Sequence, residues 1–219
     1  MILGMEYLIA LLELFHHLPE HIATWSAQLG PWVYVMLFGI VFAETGLVFT
    51  PFLPGDSLLF AAGALSADAT GALNLPLLLT TFMVAAITGD FMNYTIGRKI
   101  GTALIHNSKS KLFNKEYLHR AEAFYARHGA KAVILARFFP IIRTYAPFVA
   151  GVSRMEQKPY LTFNVVGATV WTWLFVLAGH WFGNLPFVRD KFHYIVVAII
   201  LVSLLPIAYE ALKPRKMEG

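Results

Sequence analysis

Residues 44–56 read Glu-Thr-Gly-Leu-Val-Phe-Thr-Pro-Phe-Leu-Pro-Gly-Asp, an acid at each end of an apolar segment broken by Pro51 and Pro54. Residues 137–143, Arg-Phe-Phe-Pro-Ile-Ile-Arg, repeat the plan with bases in place of acids, around Pro140. Both segments lie within stretches otherwise apolar enough for a bilayer. A charge at membrane depth costs about 2.5–3.5 kcal/mol on insertion scales, so four left alone cost about 10–14 kcal/mol, comparable to a whole domain's stability. Glu44, Asp56, Arg137 and Arg143 must therefore pair, face water or bind something. Two acids and two bases form a self-compensating set.

Working outward, the composition fixes the class. Of 219 residues 58% are hydrophobic and 14% charged, with mean hydropathy +0.61, too apolar for a soluble domain of this length. The expectation is an all-α integral membrane protein with a single membrane domain over residues 1–219. The chain has no cysteine, which excludes disulfides, thiol nucleophiles, thiolate metal sites and Fe–S centres. No Lys or Arg precedes the first apolar stretch, while Glu6, Glu13 and Glu20 do lie there, so no cleaved signal peptide is expected.

The apolar stretches set the organisation. An amphipathic helix is expected within residues 1–30, with Leu8, Leu11, Leu12 and Phe15 in helical register. A span and a first re-entrant hairpin follow over 31–66, then a span over 73–98 and a cytoplasmic segment over 99–131. A second hairpin is expected over 132–152, and further spans over 159–183 and 192–212. That makes about four transmembrane helices, since about 20 helical residues cross the hydrocarbon. Within the cytoplasmic segment, residues 115–128 carry Tyr117, Ala121, Phe124 and Tyr125 at helical spacing before Gly129, which suits a surface helix.

The two broken segments rhyme. Charge, prolines, charge and glycine run Glu44, Pro51 and Pro54, Asp56, Gly63 in the first, and Arg137, Pro140, Arg143, Gly151 in the second. Broken helices in corresponding places are the signature of an inverted-repeat transporter. Pro51, Pro54, Gly55, Pro140, Pro147 and Gly151 are the expected hinges. Irregular backbone at membrane depth must be buried or line a wet cavity, a condition two opposed hairpins meet by covering each other. Eight of the 17 Lys and Arg fall between residues 98 and 131, and Lys213, Arg215 and Lys216 lie near the end, so that segment and the C-terminus are read as cytoplasmic.

Three stretches carry a family likeness: FAETGLVFTPFLPGDSLLFAAGAL (42–65), GDFMNYTIGRKIG (89–101) and FYARHGAKAVILARFFPIIRTYAPFVAGVSRM (124–155). Together they resemble the bacterial DedA family of the wider VTT-domain (SNARE-associated Golgi protein) superfamily, over nearly the whole chain. The resemblance implies two opposed re-entrant loops, an inner-membrane location and a role in moving lipid between leaflets. Its proposed bacterial cargo is undecaprenyl phosphate, recycled with dependence on the proton gradient, and its eukaryotic relatives are regarded as phospholipid scramblases. The family's important acids match Glu44 and Asp56, and its important arginines match Arg137 and Arg143.

Each residue also has a plainer role to set beside the functional one. Asp56 suits a helix cap, and Glu44 suits a structural partner for an arginine. As protonatable carboxylates at depth both suit proton coupling, and Asp90, in Thr-Gly-Asp-Phe-Met-Asn-Tyr, is a third candidate. Pro140 lets Arg137 and Arg143 converge on one phosphate, which arginine grips bidentately; the alternative is that both arginines lock the acids. Asn93, Tyr94 and Gly97 read as close-packing residues, and His180 as an interfacial hydrogen-bonder. His16, His17 and His21 have only loose metal spacing, and no metal or cofactor is expected. No Gly-x-Ser-x-Gly, His-Glu-x-x-His or Walker motif is present. An aspartyl protease built on Asp56 and Asp90 would not want two arginines beside its pair, so the chain reads as a non-enzyme. The expected partners are membrane lipids and protons, with no nucleic acid. The remaining contest sets a lipid-phosphate translocase against a proton-coupled antiporter of small cations or drugs, or a passive phospholipid scramblase. The arginine pair favours phosphate cargo.

Overall fold

The structure is a computed structural model that describes residues 18–47, 55–68, 72–106, 131–137, 140–183, 185 and 188. Seven helices run through these residues: α1 (Leu18–Leu29), α2 (Trp32–Gly46), α3 (Gly55–Ser66), α4 (Leu75–His106), α5 (Lys131–Arg137), α6 (Pro140–Val152) and α7 (Gln157–Phe182). No strand occurs among them. The register expected at Leu8, Leu11, Leu12 and Phe15 lies outside the described residues; α1 buries Leu18 and Ile22 and packs Trp25 on the core. Gly30 ends it in the left-handed region (φ 54°), where a side chain is disfavoured, and Pro31 leads into α2.

The expected spans change in length. α2 has 15 residues, about 22 Å at 1.5 Å per residue, and so falls short of the hydrocarbon thickness by itself. α4 has 32 residues and runs nine past Gly97, well into the segment expected to be a cytoplasmic loop. Gly97 and Gly101 weaken a helix but do not end one that continues with Arg, Lys, Ala, Leu and Ile. Asn74 starts α4, its Oδ1 accepting the Leu77 N–H at 3.1 Å. Two helical runs among the described residues are long and apolar enough to cross a membrane, Leu75–Ile100 and Gln157–Phe182.

The stretch 132–152, expected as a hairpin turning at its prolines, carries two helices, α5 ending at Arg137 and α6 starting at Pro140. Pro140 opens α6, where its fixed φ suits the first turn. Pro147 lies inside α6 and does not end it; it removes a single backbone bond, which packed neighbours in a membrane bundle tolerate. Pro51, Pro54, the helix at 115–128, the span at 192–212, His16, His17 and residues 1–17 lie outside the described residues.

Packing is reciprocal. α2 lies on α4, α3 on α7, and α4 on α6, while α4 and α7 also meet. The two middle crossings are built alike. A Cβ on Gly63 would strike the carbonyl of Val176, and one on Gly179 the carbonyl of Phe60. A Cβ on Gly97 would strike the carbonyl of Phe148, and one on Gly151 the carbonyl of Tyr94. In each crossing both glycines meet the residue three before the partner glycine, so backbones touch directly. Gly151, expected as a hinge, is thus a crossing point in the last turn of α6. Gly97 packs closely, as expected, and Tyr94 stacks on Tyr160 with ring centroids 4.2 Å apart.

Candidate functional site

The helix breaks bring four charges to helix ends. Glu44 sits in the last turn of α2, Asp56 in the first turn of α3, Arg137 at the end of α5 and Arg143 in the first turn of α6. A helix N-terminus favours an anion and a C-terminus a cation. Asp56 and Arg137 match that field, while Glu44 and Arg143 oppose it. The two opposed charges bond each other: Arg143 Nη2 donates to Glu44 Oε1. Arg143 Nη1 donates to Asp56 Oδ1 at 2.6 Å, so one guanidinium holds both acids of the first broken segment.

Gly55 explains how the acids come so close. Its N–H donates to Glu44 Oε1 at 3.2 Å, and any Cβ there would collide with the Glu44 carboxylate. The glycine expected as a hinge is thus also a site of close approach between backbone and acid.

Arg137 takes a different partner from the one its motif suggests. Its Nη2 donates to Asp90 Oδ2 and to Asn164 Oδ1, the latter at 2.8 Å. The rhyme between the two segments paired Glu44 and Asp56 with both arginines. Packing overrides this, because α5 lies on α7 while α4 carries Asp90 to the same place. Asn164 is itself held by an Nδ2 bond to the Ile87 carbonyl at 3.1 Å, and Tyr160 donates to the Asp90 carbonyl at 2.9 Å.

Trp171 links the two halves of the cluster. It is fully buried, and its indole N–H donates to Asp56 Oδ1 at 2.7 Å. Its ring carries the Arg143 guanidinium 4.9 Å from the centroid and that of Arg137 at 5.8 Å, both within cation–π range. The two arginines therefore converge on one ring. Asn93 supplies a second brace. Its Nδ2 donates to the carbonyls of Thr45 (3.1 Å) and Thr144 (2.8 Å), the residues that follow Glu44 and Arg143. It is a bridge between α2 and α6 rather than a packing residue alone.

Several polar atoms of the cluster are buried with no hydrogen-bond partner: Glu44 Oε2, Asp90 Oδ1, Asn93 Oδ1, Arg137 Nη1 and Arg143 Nε. Such atoms are costly in a finished structural network and natural in a site that receives a ligand. The cluster is therefore both a lock and a set of unused donors and acceptors. Away from it, His180 Nδ1 lies 2.8 Å from Ser66 Oγ, bridging α7 to the end of α3, and His21 stacks on Trp25. Among the described residues no group of three or more His, Cys, Asp or Glu side chains has a metal-binding arrangement.

Trp171 and Asn164 escaped the reading of the sequence, which took residues 159–183 for a plain span without charge. The available signals were an asparagine inside that span and a tryptophan near its centre instead of at the interface, where tryptophan is usual.

A family comparison agrees with this architecture. The VTT domain matches residues 53–181, from the first break to the end of α7, and the chain belongs to the VTT-domain family of membrane proteins. Within it the chain falls in the DedA subgroup. It is 47% identical over 212 residues to protein DedA of Escherichia coli, covering 97% of each chain. It is 45% identical over 167 residues to an uncharacterised membrane protein of Mycobacterium tuberculosis, covering 76% of this chain and 73% of that one. It is 35% identical over 155 residues to the inner membrane protein YqjA of Escherichia coli, covering 70% and 69%. No solved structure matches the chain.

Proposed function

We propose that this protein moves lipid phosphates between the leaflets of the bacterial inner membrane, undecaprenyl phosphate first among them, with linkage to the proton gradient. The observation that carries the reading is the pair of buried arginines, Arg137 and Arg143, each with an N–H left unpartnered beside the bonds it gives to its carboxylates. A phosphate oxygen is the acceptor such donors suit, and arginine keeps its charge at depth. In this reading the breaks 44–56 and 137–143 are the tips of re-entrant hairpins from opposite leaflets, the C-terminus is cytoplasmic, and cargo crosses without a covalent bond being made. Protonation of a carboxylate frees Arg143 or Arg137, the headgroup replaces the acid, and deprotonation on the other side expels it.

Purified protein in liposomes, carrying a labelled polyprenyl phosphate or a labelled zwitterionic glycerophospholipid, tests this. The polyprenyl phosphate should change leaflets and respond to a pH gradient, whereas the zwitterionic lipid should not. Movement of neither would sink the reading, and equal movement of both would favour a passive scramblase. A second reading, a proton-coupled antiporter of small cations, draws support from Glu44, Asp56 and Asp90 outnumbering the two arginines in the cluster. Cation flux without lipid movement in the same vesicles would favour it.

A further inference from the structure

Among the described residues, every helix around the site except α7 contributes one charge. Glu44 comes from α2, Asp56 from α3 and Asp90 from α4, against Arg137 from α5 and Arg143 from α6. α7 faces the cluster with Trp171, Asn164 and the Tyr160 phenol. On α1, which packs on α2 and α3, Glu20 is exposed and His21 stacks on Trp25. Arg98, further along α4, is exposed and donates to the Tyr94 hydroxyl. Among the described residues, the five clustered charges do not balance. With all of them ionised, three carboxylates face two guanidiniums and one negative charge is left over.

A surplus charge in a buried site has to be neutralised. Arginine does not release its proton in proteins, and only the carboxylates can take one up. One resident proton thus makes the empty site neutral. Glu44 Oε2 and Asp90 Oδ1, buried without a partner, are oxygens that can hold it, and protonation turns such an acceptor into a donor.

The same count fixes the loaded site. Building on the lipid-phosphate reading, we infer that cargo enters with one proton for each of its negative charges, so that the empty and the loaded site are both electroneutral. A phosphodiester headgroup, a monoanion, crosses with one proton beyond the resident one. A phosphomonoester, which carries up to about two charges near neutral pH, crosses with two. Its dianion then needs all three carboxyls protonated, and three is the number the cluster holds. No more highly charged headgroup can be balanced here, which excludes a fully ionised pyrophosphate monoester, with three charges, as cargo. On release both lipid and protons leave, and the site returns with its single proton.

The test uses wild-type protein in phosphatidylcholine vesicles with trace labelled phosphatidylglycerol, a diester, or labelled polyprenyl phosphate, a monoester. Valinomycin and potassium set the membrane potential independently of pH. At steady state one pH unit should shift the leaflet ratio about tenfold for the diester and about a hundredfold for the monoester. A potential of 100 mV without a pH gradient should leave both ratios unchanged, whereas an uncompensated monoanion would shift about 50-fold. Distribution that follows the potential, equal pH slopes for the two lipids, or simple equilibration under a pH gradient would each overturn the inference and leave lipid movement intact. No leaflet movement of either lipid would overturn the lipid reading and the inference with it.

Discussion

Trp171 should be an energetic keystone of the site, and two substitutions separate what it contributes. Its N–H donates to Asp56 at 2.7 Å, and a hydrogen bond to a charged group contributes about 1.5–3 kcal/mol. Its ring faces Arg143 at 4.9 Å and Arg137 at 5.8 Å. The nearer contact, desolvated, is worth about 2 kcal/mol and the farther about 0.5 kcal/mol. Trp171→Phe keeps a ring and loses the donor, so it should cost about 1.5–3 kcal/mol. Trp171→Leu loses both and should cost about 2.5 kcal/mol more. Equilibrium unfolding in detergent measures both differences. Because the smaller side chains also leave a cavity, the decisive measurement is a double-mutant cycle of Trp171→Phe with Asp56→Ala, which removes the acceptor, and in which the cavity term cancels. A coupling of about 1 kcal/mol or more is expected. Coupling near zero, or a Leu variant no less stable than the Phe variant, would refute the assignment.

Three further outcomes follow from the geometry. Arg143→Lys should impair lipid movement more than Arg137→Lys, since Arg143 serves two carboxylates with separate nitrogens while both bonds of Arg137 leave from Nη2; equal rates in the vesicle assay would count against the fork at position 143. Asp56→Asn should abolish transport and keep the fold, because Asn retains an oxygen for the Trp171 and Arg143 donors but neither charges nor titrates; full activity would return Asp56 to a structural role. Gly63→Ala and Gly151→Ala should each destabilise by about 1–3 kcal/mol through backbone overlap, whereas Gly39→Ala, with open space around it, should stabilise by about 0.5–1 kcal/mol; thermal melts that rank these variants otherwise would undo the crossing argument.

What the sequence made legible was governed by cost. Charges inside apolar stretches announce themselves, so Glu44, Asp56, Arg137 and Arg143 stood out, and Asp90 with them. Which arginine meets which acid depends on how α4 and α5 stack on α7, and no local pattern encodes that. Uncharged braces were harder still, because Trp171, Asn164 and Asn93 cost little where they stand and so leave a weak signal. The rhyme of breaks was visible, but the residues in it do different jobs: Pro140 starts a helix, Pro147 rides inside one, and Gly63 and Gly151 are where helices cross. Helix ends were uncertain for the usual reason, since nothing after Gly97 forbids the nine further residues of α4.

The reciprocity of the scaffold and the asymmetry of its charges have to be read together. Aligning Gly63 with Gly151 sets Asp56 against Thr144 and Gly55 against Arg143; aligning Gly97 with Gly179 sets Asp90 against Thr172. The same backbone crossings therefore carry acids in the first half and neutral or basic residues in the second. All three clustered acids belong to α2, α3 and α4, and both arginines to α5 and α6. Neither half can bury its own charges alone, since removing one side of a buried ion pair costs about 3–5 kcal/mol. The attraction that assembles the halves is the one that the proposed transport would have to undo. A motion that pulled them apart would strand both sets of charge in a low-dielectric interior. A motion that passes each arginine from a carboxylate to a phosphate, while the carboxylate takes a proton, never leaves a charge uncompensated. The glycine crossings suit that second kind of motion: bare backbones in contact offer few interlocked side chains to unpack as one half shifts along the other.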